Sequence, residues 1–175
     1  MELFDLYDAY RRPTGETMVR GEPTPAGKYR LVVHICIFNS KGEMLIQQRQ
    51  SFKKSWADMW DLSAAGGVVS GETSQERARR ELFEELGLDV DFDGTVPALT
   101  TSFEEGFNDI YLLHQDVDVA ALRLQYEEVQ AARWARRDEI LTMIDSGAFI
   151  PYNKAFIEYL FFRSNHCGNF DTDHR

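Results

Sequence analysis

Cysteine is scarce in this chain of 175 residues: Cys36 and Cys167 alone, too few for a disulfide framework. Positive charge is scarce as well. Nineteen lysines and arginines stand against 29 aspartates and glutamates, a net charge of −10 that excludes a surface built to coat a nucleic-acid polymer. No apolar run approaches the roughly 20 residues of a membrane span. The start Met1-Glu2-Leu3-Phe4-Asp5 lacks the basic residues of a signal peptide, so the cytoplasm is the expected compartment. Repeats and low-complexity tracts are missing too. What remains, 43% hydrophobic and 27% charged, is the make-up of one globular domain with a sizeable core. The acidity does not bar a phosphorylated small molecule, because a bound cation inverts the local charge.

One stretch organises the rest: Gly66-Gly67-Val68-Val69-Ser70-Gly71-Glu72-Thr73, then a helical pattern to Leu86, then Gly87-Leu88. Thr73 with Glu76 three residues on reads as a capping box. Gly87 sits where the helix needs a residue that accepts positive φ. Ala78, Leu82 and Leu86 form a stripe of period four, with Phe83 beside it. Glu81, Glu84 and Glu85, at i, i+3 and i+4, fall in one narrow sector of the helix, where like charges repel. A hard divalent cation removes that conflict, and Mg²⁺ takes carboxylate oxygens together with substrate phosphates.

The spacing across these 23 positions is the stronger signal. Gly66, Glu72, Arg80-Glu81-Leu82, Glu84-Glu85 and Gly87-Leu88 stand at the offsets of the Nudix box, and the chain resembles the Nudix hydrolase family. The resemblance implies an α/β/α sandwich around a mixed sheet, which agrees with the α+β class read from strands that outnumber the helices. It implies hydrolysis of a diphosphate linkage, in a nucleoside diphosphate derivative or a related organic pyrophosphate, with Mg²⁺ or alternatively Mn²⁺. It assigns the metal to Glu81, Glu84 and Glu85, joined by a backbone carbonyl at Ala65, and a bracing role to Gly66, Glu72, Arg80 and Gly87. Arg80 can also pair with Glu84 at i+4. The family often adds a carboxylate from outside the box as ligand or base. Glu128 is the best placed, with Glu127, Glu104 and Glu105 behind it and box glutamates Glu84 and Glu85 as the other catalytic candidates.

Along the chain, residues 1–27 read as an N-terminal β-hairpin extension, with strands at 3–7 and 16–20 and a possible role in a homodimer. Residues 28–163 read as the hydrolase domain and 164–175 as a flexible polar tail carrying His166, Cys167, Asp171, Asp173 and His174. Residues 30–39 and 43–49 are expected to form a hairpin around Ser40-Lys41-Gly42. His34 and Cys36 share one face of the first strand and read as structural residues. The loop 50–60 offers a substrate wall: Arg49, Lys53 or Lys54 for phosphate, Trp56 or Trp60 for an apolar or base moiety. Residues 61–65 read as a short strand, 90–101 as a strand broken at Gly94, 103–108 as a mobile loop, and 109–115 and 129–134 as strands, the last ending in a buried Trp134. Helices are expected at 137–144 and 151–162.

The approach Arg49…Lys53-Lys54…Trp56…Trp60-Asp61-Leu62-Ser63 is also similar to type I isopentenyl diphosphate isomerases. Those enzymes need a cysteine where this chain has Ala65 and a histidine where it has Gly67, so isomerisation is disfavoured. A Nudix-fold module that binds a nucleotide without cleaving it is the remaining alternative; it would be expected to lose a box carboxylate, and none is lost.

Overall fold

A computed structural model describes residues 2–166 and 168. Strands β1 (Leu3–Tyr7) and β2 (Pro13–Val19) pair antiparallel in a sheet of their own. The main sheet is assembled on β3 (Arg30–Phe38), whose nine apolar-rich residues are buried at alternate positions and then continuously. On one side β3 runs parallel to β8 (Gly106–His114), which pairs antiparallel with β7 (Leu99–Phe103). On the other side two strands share its edge. β6 (Ala64–Gly67) pairs along Val32–Ile35, and β4 (Met44–Arg49) meets β3 only at Phe38↔Met44. β4 then diverges to lie between β5 (Trp60–Asp61) and β9 (Val129–Ala135).

Helices cover both faces. α1 (Ser74–Leu86) packs its Ala78, Leu82 and Leu86 on Leu31, Val33, Ile35 and Ile37. On the opposite face Ile140 of α2 (Arg137–Asp145) and Ile157, Leu160 and Phe161 of α3 (Lys154–Asn165) pack on Cys36, Phe38, Ile46 and Ile110. Alternation along β3 divides these two cores: odd positions through Ile37 face α1, even positions face α3. Among the described residues no helix is long and apolar enough to cross a membrane.

Several local expectations are corrected. The 30–39/43–49 hairpin makes a single residue pair, because Gly66-Gly67 and β6 occupy the β3 edge that β4 would have followed. Residues 90–98 are irregular and only 99–103 is strand; Phe92 buries itself against Tyr111 across a break at Asp93-Gly94. The expected loop 103–108 is a tight turn at Glu104-Glu105, with Asn108 already inside β8. β2 begins at Pro13 rather than residue 16, the turn falling at 8–12 where Asp8 accepts from the Tyr10 and Arg12 amides. α3 starts at Lys154, capped by Asn153, so Pro151 stands before it. Phe83 is 59% exposed and no part of the stripe. Trp134 is half-buried, with its indole N–H donated to the Val117 carbonyl at 3.3 Å. Cys167, Asp171, Asp173 and His174 lie outside the described residues.

Candidate active site

The site is built on α1, and capping sets its bounds. The Thr73 hydroxyl accepts from the Glu76 amide at 3.2 Å while the Glu76 carboxylate accepts from the Thr73 amide at 2.8 Å. At the far end Gly87 takes φ 73°, and its amide donates to the Leu82 and Phe83 carbonyls. With both ends fixed and one stripe committed to the core, Glu81 and Glu85 come to the rim of the buried face, 5% and 6% exposed, while Glu84 stays outside.

Each carboxylate is turned to a different neighbour. Glu81 contacts the Arg77 guanidinium one turn back. Glu85 accepts from the Gln47 side-chain amide at 2.9 Å. Glu84 lies 3.2 Å from Arg80, whose guanidinium also forks onto Glu72 at 2.6 and 2.9 Å. Glu72 is thereby held to the helix, which closes the loop over the start of α1. Among the described residues no three acidic, histidine or cysteine side chains close on one point.

The donor set nevertheless fits a divalent cation. Burial first, and then the field of Glu84, pushes the Glu81 carboxyl above its ordinary range, against the charges of Arg80 and Arg20. Glu85 is driven well up by burial, then by Glu81, with Glu128 and Asp61 adding to it against the Gln47 hydrogen bond. A hard cation relieves both penalties by taking the carboxylate oxygens. One oxygen is also left over here: Oε1 of Gln47 is buried without a partner, as are the donors Nε and Nη1 of Arg77, which a cation cannot use. Gly66 explains itself in the same place, since a Cβ there would overlap the Glu81 carboxylate. The Ala65–Gly66 backbone therefore stands directly against that group, where a carbonyl can join it.

Glu128 reaches the site through the backbone. Its turn hangs on α1, the Gln125 amide donating to the Glu85 carbonyl at 3.0 Å and the Glu128 amide to the Gln125 carbonyl at 3.0 Å. Its carboxylate accepts from Lys53 at 2.5 Å, and its field is felt at both Glu81 and Glu85. Glu127 is exposed; Glu104 and Glu105 form the β7–β8 turn, with Glu105 near Arg30 at 3.9 Å. The structure thus brings Lys53 and Arg49 to the acidic cluster, Arg49 lying 3.7 Å from Asp61. Trp60 is half-buried under the Arg133 guanidinium at 4.8 Å. Lys54 and Trp56 stand exposed on the loop, Trp56 with φ 53°. The sequence reading missed Gln47, Arg77 and Asp61. Arg77 was legible as an i, i+4 partner of Glu81 and Gln47 as a polar residue in phase with buried Leu45; the place of Asp61 shows in the structure, where it accepts from the Tyr152 hydroxyl at 2.9 Å and lies near Arg49.

A mixed sheet lies between helical layers, and a glycine loop feeds an acid-faced helix packed on one of its faces. Residues 28–158 match the family model of the NUDIX domain. The chain is 47% identical to an uncharacterised Nudix hydrolase of Listeria monocytogenes over 92% of this chain and 94% of that one. It is 33% identical to Nudix hydrolase 3 of Arabidopsis thaliana over 87% of this chain and 22% of that longer protein. An isopentenyl-diphosphate Delta-isomerase of Corynebacterium diphtheriae is 30% identical across about half of each chain, 52% and 50%. A crystal structure from Deinococcus radiodurans superimposes with a TM-score of 0.74, covering 91% of this chain and 99% of the other at 24% identity, a likeness of fold. The chain belongs to the Nudix family, and its kinship with Nudix hydrolases over nearly its full length makes it a Nudix pyrophosphohydrolase.

Proposed function

We propose that the protein hydrolyses a diphosphate linkage in a nucleoside diphosphate derivative or related organic pyrophosphate, with Mg²⁺ as the cation. The observation that supports it is the complete set Glu81, Glu84 and Glu85 on one sector of α1, with Glu81 and Glu85 buried and Glu81 against Gly66. The cation neutralises charge on the phosphoryl oxygens. The chain's own residues do the rest. Glu81, Glu84 and Glu85 would hold the cation, with the Ala65 carbonyl beside them, and the Glu72–Arg80 fork keeps the loop registered on the helix. Glu128, steadied by Lys53, takes the proton of the attacking water. Arg49 and Lys53 face the phosphates, whereas Trp60 packs with the α2–α3 core under Arg133 and supplies no wall.

The isomerase-like relatives do not change this reading. Proton delivery to and from an alkene needs an acid–base pair at 65 and 67, and Ala65 and Gly67 carry no proton; Gly67 moreover lies under the Phe4 ring with no room for a side chain. The test is Mg²⁺-dependent phosphate or pyrophosphate release across a panel of diphosphate compounds, with isopentenyl diphosphate followed for isomerisation. Glu85→Gln should fold as the wild type and lose at least about a hundredfold in turnover. Full turnover in that variant, or tight binding without cleavage by the wild type, would overturn the assignment.

A further inference from the structure

The β1–β2 hairpin lies outside residues 28–158, yet it is fastened to the glycine loop. Phe4 bridges to Val69, the Ser70 amide donates to the Leu3 carbonyl at 2.7 Å, and Asp5 accepts from the Ser70 hydroxyl at 2.6 Å and the Gly71 amide at 3.0 Å. Alternation fixes which side chains face the domain. Phe4, Leu6 and Met18 are buried, Phe4 lies opposite Met18, and its ring covers Gly67. The same row continues outward, one step past the Leu3↔Val19 pair, to Glu2 and Arg20. The Arg20 amide donates to the Glu2 carbonyl at 3.0 Å and its guanidinium donates to the Glu2 carboxylate at 2.5 Å. The row thus passes Gly67, the chain neighbour of the glycine pressed against Glu81, and ends in an arginine.

That arginine stands in an acidic setting. The Glu2 hydrogen bond is the first cause holding the guanidinium above its ordinary range, with the charges of Glu2, Glu81 and Glu128 adding to it against burial. In return the Arg20 charge draws Glu81 down, and Glu2 senses Arg80. The end of the hairpin is therefore electrically in touch with a metal-ligand candidate, the base candidate and the bracing arginine of the box.

We propose that Arg20 is a phosphate-binding residue of the active site, supplied by the hairpin, and that Glu2 holds it until a diphosphate with its divalent cation enters. This rests on the reading of the site as a diphosphatase. A guanidinium presents forked donors that match phosphate oxygens. Its present partner is weak: the Arg20 and Glu2 side chains are 54% and 44% exposed, and exposed pairs contribute little. Exchange of one exposed carboxylate for a multiply charged phosphate is favourable once Glu81 and Glu84 are occupied by the cation. The contact would favour compounds with two or more phosphates over monophosphates, because one phosphate would be held through the cation on the carboxylates and a second would be left for Arg20.

Calorimetric titration with methylene diphosphonate, whose P–C–P bridge resists hydrolysis, in excess Mg²⁺ tests this on the wild type, Arg20→Ala, Arg20→Lys and Glu2→Gln. Arg20→Ala should bind about tenfold more weakly, the order expected for a charge-assisted hydrogen bond, and Arg20→Lys should recover part of that. Glu2→Gln should bind about two- to threefold more tightly, since the internal competitor is gone; an exposed pair of this kind is worth only a few tenths of a kcal/mol. Opposite signs separate a phosphate-binding role from a structural one, because a loosened hairpin would move both variants the same way and lower both melting temperatures. Unchanged affinity in Arg20→Ala, or a parallel loss in Glu2→Gln, overturns the inference. If the wild type binds and cleaves the panel compounds while Arg20→Ala is unmoved, only the role of Arg20 falls. A wild type that neither binds nor cleaves removes the diphosphatase reading with it.

Discussion

Gly66→Ala isolates the contact on which the site is built. Gly66 does not have positive φ, so alanine adds no backbone strain there. The whole cost is steric: the new Cβ would overlap the Glu81 carboxylate and come within 3.0 Å of Arg77 Nη2. Overpacking of this kind costs about 1–3 kcal/mol, and pushing Glu81 off Arg77 opens a buried pair whose disruption costs about 3–5 kcal/mol. Partial relaxation of Glu81 toward solvent places the sum near 2–4 kcal/mol. For a chain of this size that is a fall of roughly 5–15 °C in melting temperature. The assay is thermal unfolding without divalent cation for the wild type, Gly66→Ala, Glu81→Ala and the double variant. Glu81→Ala strands Arg77 and is destabilising by itself, but that loss is common to both arms of the cycle. In its background Gly66→Ala should cost less than about 0.5 kcal/mol, an interaction energy of about 1.5 kcal/mol or more. Equal losses in the two backgrounds would show that Glu81 does not lie against Gly66, and the geometry assigned to the metal ligands would fall with it.

Three further outcomes follow from burial. Phe4→Ala should destabilise by about 3 kcal/mol in urea unfolding, because the ring is 6% exposed and clamps Gly67; a loss below about 1 kcal/mol would mean the hairpin is not docked. Tyr152→Phe removes the hydroxyl donated to buried Asp61 and should cost about 1.5–3 kcal/mol, with an unchanged melt refuting that pairing. In a Cys167→Ser background, Cys36 should resist thiol reagents until the protein unfolds, since it is fully buried and burial pushes its thiol far up; rapid labelling of the native protein would place it elsewhere.

Local signals carried the fold class and the helix that organises it. Thr73, Glu76 and Gly87 fix α1 through short-range hydrogen bonds that a sequence displays directly, and Ala78, Leu82 and Leu86 fix its orientation by period. Strand partners were less legible, because the alternation of β3 reports which faces are buried and not who lies alongside. Thus β6 took the edge that the 40–42 turn suggested for β4. Residues 90–98 read as strand from their apolar content, but Phe92 and Gly94 serve a core contact and a turn instead. At the site, the sequence places the carboxylates of α1 on one sector. Gln47, which donates to Glu85, and Glu128, whose turn hangs on the Glu85 carbonyl, come from distant segments that the sequence does not show meeting the helix.

The charges around the site explain how a protein of net charge −10 can take an anionic substrate, and why it should do so only with a cation. Five cations are placed near the acidic cluster or at the end of the hairpin row, and each is already paired: Arg77 with Glu81, Arg80 with Glu72 and Glu84, Lys53 with Glu128, Arg49 with Asp61, and Arg20 with Glu2. A diphosphate arriving alone meets cations that are spoken for and carboxylates that repel it. A divalent cation on Glu81 and Glu84 would deprive Arg77 and Arg80 of one carboxylate partner each and raise the local charge by two, which an arriving anion would balance. Two units of charge a few ångströms from the phosphates, at the effective dielectric of a protein surface, amount to several kcal/mol. Methylene diphosphonate should therefore bind at least about a hundredfold more weakly in EDTA than in Mg²⁺ by calorimetry. Equal binding in the two conditions would mean that the arginines and Lys53 receive the phosphates without help, and that Glu81, Glu84 and Glu85 serve only to hold them.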